Sequence, residues 1–165
     1  MSLVAPRAVT PSSEDVPDVD DGEEKVTAGA FWPEIELSAV RKEMRITGAV
    51  TTSRLKQVVI EAVGHTIDQL AGWQSEQLTA GFISLDAVPS NQVNGQSLRV
   101  YRYRRAVYSI ARALLIETFR DVDTTGDAGE KKALALASQA NDHWRDARWA
   151  IADIRGVVRN SAEAF

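Results

Sequence analysis

Apolar side chains recur every three or four positions along three long stretches of this chain. No stretch of similar length alternates with a period of two. Such spacing lines one face of an α-helix, and it constrains the fold more than any other feature. In the first stretch Leu55, Val59, Ala62, Thr66, Leu70 and Trp73 fall in register, flanked by Val58, Val63 and Ile67. This predicts a helix over 53–79, roughly 40 Å long, capped by Thr52 or Ser53. Gly64 and Gly72 each cost it about 1 kcal/mol against alanine, so a bend or a close contact is expected at one of them. The second stretch, about 95–120, carries two stripes. Val100, Tyr103, Val107, Ile110 and Leu114 form one; Tyr101, Tyr108, Ala111, Leu115 and Phe119 form the other. Two stripes imply contact on two sides and make this the central helix. The third stretch follows a turn at 121–129 and runs to about 155. Ala133, Ala137, Ala140, Trp144, Ala147, Ile151 and Ile154 share its inner face, and Gly156 ends it.

A shorter helix capped by Ser38, with Val40 and Met44 inside, comes first. Before it, Phe31 and Trp32 precede Pro33, which holds them extended as an anchor. Gly81, Pro89, Asn91, Asn94 and Gly95 mark 80–96 as a loop. No strand and no internal repeat is evident. The expected fold class is all-α, a small bundle of about four helices with disordered or extended N- and C-terminal tails.

Charge divides the chain. Residues 1–25 hold seven acids against Arg7 and Lys25, a net charge of −5, while the whole chain of 165 residues carries −4. The remainder therefore sums to about +1. With Pro6, Pro11 and Pro17 and few large apolar groups, the first residues cannot bury enough surface to order alone. We expect an acidic flexible segment over 1–28, a helical domain over 29–156 and a short C-terminal segment over 157–165. The acids argue against clamping DNA with the N-terminal segment. Keeping the unassembled protein in solution is the role they favour.

Other classes are excluded by what is lacking. The chain has no cysteine, so disulfide scaffolds and cysteine-held metals are out. No apolar run approaches the ~20 residues of a membrane helix, and the N-terminus lacks the apolar core of a signal peptide. Glu61 and His65 are four apart on one helix, but a metal site needs a third ligand; a helical side-chain pair is the simpler reading. His143, beside Asp142 and Trp144, has no supporting nucleophile motif. Residues 126–132 lack the spacing and the preceding strand of a phosphate loop. No catalytic site, metal or cofactor is expected.

Two segments are dense in interaction-prone residues. In Arg99-Val-Tyr-Arg-Tyr-Arg-Arg105, continued by Arg112, the side chains of Arg102, Arg105 and Arg112 fall within about 80° of one another. Arginines interleaved with tyrosines suit nucleic-acid phosphates and bases. They equally suit pairing with acids on a neighbouring helix or subunit while the tyrosines pack inward. In residues 143–155, Trp144 lies on the inner stripe and Trp149 about 140° away. Trp149 is either packed in a crowded bundle or set in an interface, where tryptophan and arginine are enriched.

Several motifs together resemble a known family. They are Phe31-Trp-Pro-Glu-Ile35, Val40-Arg-Lys-Glu-Met-Arg45, Ser53-Arg-Leu55, Ala80-Gly-Phe-Ile-Ser-Leu-Asp-Ala-Val-Pro89, Gly95-Gln-Ser97, Tyr103-Arg-Arg-Ala-Val-Tyr108, Gly129-Glu-Lys-Lys-Ala133 and Trp144-Arg-Asp-Ala-Arg-Trp-Ala150. In this order and spacing they are similar to the head completion (head stabilisation) proteins of contractile-tailed phages, the gpL family, over about 31–159. The resemblance implies a structural neck protein of the virion, not an enzyme, assembled in the host cytoplasm. Its partners would be the portal protein, a tail-completion or tail-terminator protein, and further copies of itself in a ring, expected to be a dodecamer. Packaged DNA would pass through the channel without sequence-specific binding, and no membrane is involved. On this reading Arg155, Val157, Val158, Arg159 and Phe165 form a portal-binding tail. Arg102, Arg105, Arg112, Asp142, Asp146 and Trp149 form the subunit interface, with the arginines pairing acids next door. The competing reading is a small helical DNA-binding or regulatory module built on the arginine–tyrosine stripe.

Overall fold

A computed structural model describes residues 20–120 and 127–159. Four helices make up its body: α1 (Leu37–Glu43), α2 (Thr52–Thr79), α3 (Leu98–Arg120) and α4 (Asp127–Arg155). The all-α expectation holds, and α3 is the central element, packed on α4 along its length and on α2 across its other side. The pair α3–α4 is antiparallel: Arg102 Nη1 donates to the Asp153 carbonyl at 3.3 Å at one end, and Trp144 Nε1 donates to Glu117 at 2.7 Å further along. Both predicted stripes of α3 are buried for most of their length, through Val100, Tyr103, Val107 and Ile110 on one and Tyr108, Ala111 and Leu115 on the other. Tyr101 departs from its stripe and stands 59% exposed.

Two short ladders lie outside the helical expectation. β1 (Lys25–Val26) pairs antiparallel with β2 (Ile35–Glu36), and β3 (Gln92–Val93) with β4 (Gln96–Ser97). The second is a tight hairpin. Asn94 and Gly95 at its tip take φ of 53° and 73°, the left-handed pair that a two-residue hairpin turn requires.

Helix starts differ by a residue or two from the expected ones. β2 runs straight into α1, and the Leu37 N–H donates to the Glu24 carbonyl at 3.0 Å. The helix therefore begins before Ser38 can cap it, and Glu36 stands at its N-cap without a side-chain bond. Thr51 caps α2 by accepting from the Arg54 N–H at 3.4 Å. Thr52 is drawn away, donating its hydroxyl to Asp21 at 2.7 Å. Gly64 and Gly72 lie in an unbroken α2 with nothing within 4 Å of where a Cβ would stand, so neither marks a close contact.

The acidic segment is not excluded from the fold along all of 1–28. Residues 20–28 pack on the body, and Val26 is buried. Asp21 is 3% exposed and Arg41 7%. Arg41 grips the carboxylate with two hydrogen bonds, Nε to Oδ2 at 2.5 Å and Nη2 to Oδ1 at 2.8 Å, and its Nη1 donates to the Thr47 carbonyl at 3.0 Å. A buried ion pair repays its desolvation only when hydrogen bonds saturate it in this way. The Arg41 guanidinium, aided by the Thr52 hydroxyl, holds the Asp21 carboxyl below the usual range against the opposing effect of burial.

The predicted Phe31–Trp32 anchor closes the same side of the core. Trp32 stacks on Tyr103 at 5.1 Å, while Phe31 meets Trp32 edge-on at 4.8 Å and Trp73 at 6.3 Å. The Leu85 N–H donates to the Phe31 carbonyl at 2.9 Å, tying the loop to the anchor. Tyr103 is wholly buried and its hydroxyl has no partner; burial drives its phenol pKa far up.

Candidate assembly surface

The C-terminal end of α4 is where the predicted interaction residues gather. Gly156, with φ of 70°, reverses the chain. Its N–H donates to the Asp153 carbonyl at 3.3 Å and the Val157 N–H to the Ala152 carbonyl at 3.1 Å. Those two bonds are the Schellman closure, which glycine favours because it has no Cβ to strain a positive φ. The chain then turns back on α4. Arg159 donates from Nε and Nη2 to the two oxygens of Asp153, at 2.9 and 2.6 Å. The same guanidinium lies 5.3 Å from the Trp149 ring, and Arg145 lies 5.1 Å from it. Val157 is 46% exposed and Val158 90%. Arg155 is exposed. Phe165 lies outside the described residues.

The Arg159 bonds, joined by the charge of Arg102, hold the Asp153 carboxyl below its ordinary range despite partial burial. Asp153 in turn raises Arg159. Arg99 is lowered, by burial first and by Arg102 second, yet it still donates to the Ile154 carbonyl and ties the end of α4 to the start of α3.

The arginines expected to reach the next subunit find acids within their own. Arg102 approaches Asp153 at 3.8 Å and Arg105 approaches Asp146 at 3.6 Å. Both bridge α3 to α4 because the antiparallel pair sets the ends of the two helices side by side. Asp142 pairs with Arg145 at 3.0 Å along α4. Arg112 is half-buried and lies near His143, whose pKa is lowered by burial first and by the Arg112 charge second, against Asp146 and Asp142. The arginine–tyrosine platform for nucleic acid is not assembled: Tyr103 and Tyr108 are buried and only Tyr101 is exposed.

The helical partner of His65 is Gln69 and not the expected Glu61: its Nδ1 lies 3.0 Å from Gln69 Nε2, and its ring lies 5.2 Å from Trp144. Among the described residues no three His, Asp or Glu side chains are placed to share a metal ion, and no helix is long and apolar enough to cross a membrane. Residues 127–132 open α4, and the described element before them is the helix α3; residue 126 lies outside the described residues. Sequence reasoning missed Arg145 as a partner of Trp149, although the i,i+4 spacing carried that signal. It also missed the Asp21–Arg41 pair, which no local pattern announces.

Comparison with known proteins agrees with the motif order. No solved structure matches the chain. It is 34% identical over 163 residues to the head completion/stabilization protein of Escherichia phage P2, covering 96% of each chain. Residues 26–165 match the profile of the phage head completion proteins (GPL), a span that takes in β2, all four helices and the C-terminal segment. Agreement over that much of the molecule shows that the chain belongs to the phage head completion protein (GPL) family, with a structural role in the phage head.

Proposed function

We propose that copies of this chain form a neck ring beneath the portal, retain the packaged genome and offer the surface to which the tail attaches. Membership of the head completion family supports the structural role. The finer reading rests on how α4 ends. The Gly156 turn and the Arg159–Asp153 clamp present Val157 and Val158 outward from one corner of the bundle. A partner that buries an exposed valine gains about 1.5–3 kcal/mol. On this reading the portal is that partner, engaged by Arg155, Val157, Val158 and Phe165, with Arg159 as the hinge post.

A ring needs a head-to-tail contact that closes. Arg102 and Arg105 brace α3 against α4 within the subunit, so contact with the next copy falls to the exposed flank of α4, where Asp142, Arg145 and Trp149 stand. Twelve copies would match the portal. A tail-completion or tail-terminator protein would sit below, and DNA would pass through the channel without base-specific contacts. The place of action is the neck of the virion, reached after assembly in the host cytoplasm.

The test is co-elution with the cognate portal, with mass measured by light scattering, for the full chain and for a variant ending at Arg155. A ring-sized complex that disappears on truncation supports the assignment. Binding by both variants would move the docking surface into the bundle, and binding by neither would count against the neck reading.

A further inference from the structure

The exposed flank of α4 carries charge that the fold does not use. Arg148 and Arg155 are seven residues apart, so both project from one side of the helix. Both are exposed, and neither has an acidic partner among the described residues. Beside them Trp149 sits between the guanidiniums of Arg145 and Arg159. Arg145 Nε is a buried donor with no acceptor. Residues 98–105 of α3 and 142–159 at the end of α4 hold eight arginines against Asp142, Asp146 and Asp153, an excess of five positive charges.

The matching negative charge lies in the same sequence. Glu14, Asp15 and Asp18 precede Asp20, at the start of the described residues. We infer that this acidic segment of one copy docks on the Arg148–Arg155 flank of α4 of the next copy, an inference that rests on the ring reading above. Charge complementarity gives the pairing its sign, and limited reach makes a pairing along the whole flank intermolecular. Asp21 is fixed at the start of α2 by Thr52. His65 of α2 meets Trp144 of α4, and both helices then run toward Arg99, which lies over Trp73 and bonds the Ile154 carbonyl. Thr52 to His65 spans about 20 Å of helix, and Trp144 to Arg155 about 16 Å in the opposite direction from that contact. A fully extended chain carries Glu14 at most about 20 Å from Asp20. At full stretch Glu14 comes near its own Arg148, about 26 Å along the axis from Thr52, but the acids of one copy fall short of its own Arg155, about 36 Å away, and so cannot span the flank of their own α4. A neighbouring copy is under no such limit. Such a contact is heterologous and so suits a ring.

The chain has no cysteine, so single thiols can report the contact. Ala152 lies between Arg148 and Arg155 on the same helix. Full-length Asp18→Cys and Ala152→Cys variants are mixed, bound to the portal and oxidised, and the linked peptides are identified by mass spectrometry. The expected product joins residue 18 of one copy to residue 152 of another. Its yield falls about fivefold in R148E, which leaves the portal-binding residues untouched, and returns when E14R and D15R are added to the Asp18→Cys partner. Circular dichroism of R148E should match that of the unsubstituted chain, since the side chain is exposed. Absence of the 18–152 link, a link confined to one chain in the double-cysteine variant, or a yield indifferent to the charge swap overturns the inference. So does salt-sensitive duplex DNA binding that R148E abolishes while the link persists. If the ring-sized portal complex forms from the cysteine variants without the link, the ring stands and this contact fails. If the unsubstituted chain forms no portal complex, the ring reading falls and takes the inference with it.

Discussion

Arg159 closes on Asp153, six residues back along the chain, through two hydrogen bonds of 2.6 and 2.9 Å. This pair fixes where the chain leaves α4, and with Trp149 it makes a clamp that can be opened without touching the core. Asp153→Asn should release residues 157–159 while leaving global stability within about 1 kcal/mol, because the clamp is at the surface. The fluorescence of Trp149, read by difference against a Trp149→Phe variant, should report the loss of Arg159 from its ring. Portal binding should weaken, because a released tail has more freedom to lose on docking. An unchanged affinity would mean that the clamp does not present the tail.

The clamp also has a defined pH response. The Asp153 carboxyl is held down, chiefly by the Arg159 bonds. A group depressed in the folded state contributes stability above its unfolded value of about 3.9 and loses it as pH falls toward the folded value. The Trp149 signal should therefore stay flat from neutral pH down to the ordinary aspartate range and change only below it. A transition between neutral pH and that range would point instead to His143, whose pKa is lowered chiefly by burial.

Asp21 and Arg41 form a deeper pair. Removing one partner strands a buried charge, at a cost of about 3–5 kcal/mol. Arg41→Met should lower the free energy of unfolding by that amount, read as a lower urea midpoint with the slope unchanged. The Asp21 carboxyl is also depressed, first by Arg41. The unsubstituted chain should thus lose stability as pH falls below the aspartate range, and Asp21→Asn should flatten that loss.

The Tyr103 hydroxyl is buried without a partner. Deleting an unsatisfied polar atom while keeping the ring removes a desolvation cost. Tyr103→Phe should be neutral or stabilising by about 1 kcal/mol, whereas Tyr103→Ala should cost about 3–5 kcal/mol through the lost stack with Trp32. Equilibrium denaturation of both variants separates the two effects.

The hairpin tip offers a local test. Gly95 has φ of 73° with open space around it, so Gly95→Ala is opposed by backbone strain alone. A loss of about 1 kcal/mol is expected, with no change in helix content.

The three long helices were legible because each buries a continuous stripe. Val59, Tyr103 and Ile151 recur with neighbours three and four positions away, and a core on one side demands that period. The short ladders were not, since two-residue strands leave no alternation to read. The Asn94–Gly95 turn was the exception, a hairpin signal taken only as a loop mark. Thr51, not its neighbours, caps α2 because Thr52 is engaged by Asp21, a residue 31 positions away in sequence. The candidate surface was legible in composition and misleading in partnership. Arg102 and Arg105 do meet Asp153 and Asp146, but within one chain, since only the antiparallel register of α3 on α4 decides which acids they face.

Electron cryo-microscopy of the chain bound to its portal decides whether it is a neck ring. The expected map shows a closed ring of helical bundles beneath the portal, twelve-fold, with density for residues 157–165 running from the Gly156 turn into portal grooves. A portal bearing isolated copies, or a ring held through the bundle with nothing of residues 157–165 against the portal, would contradict it.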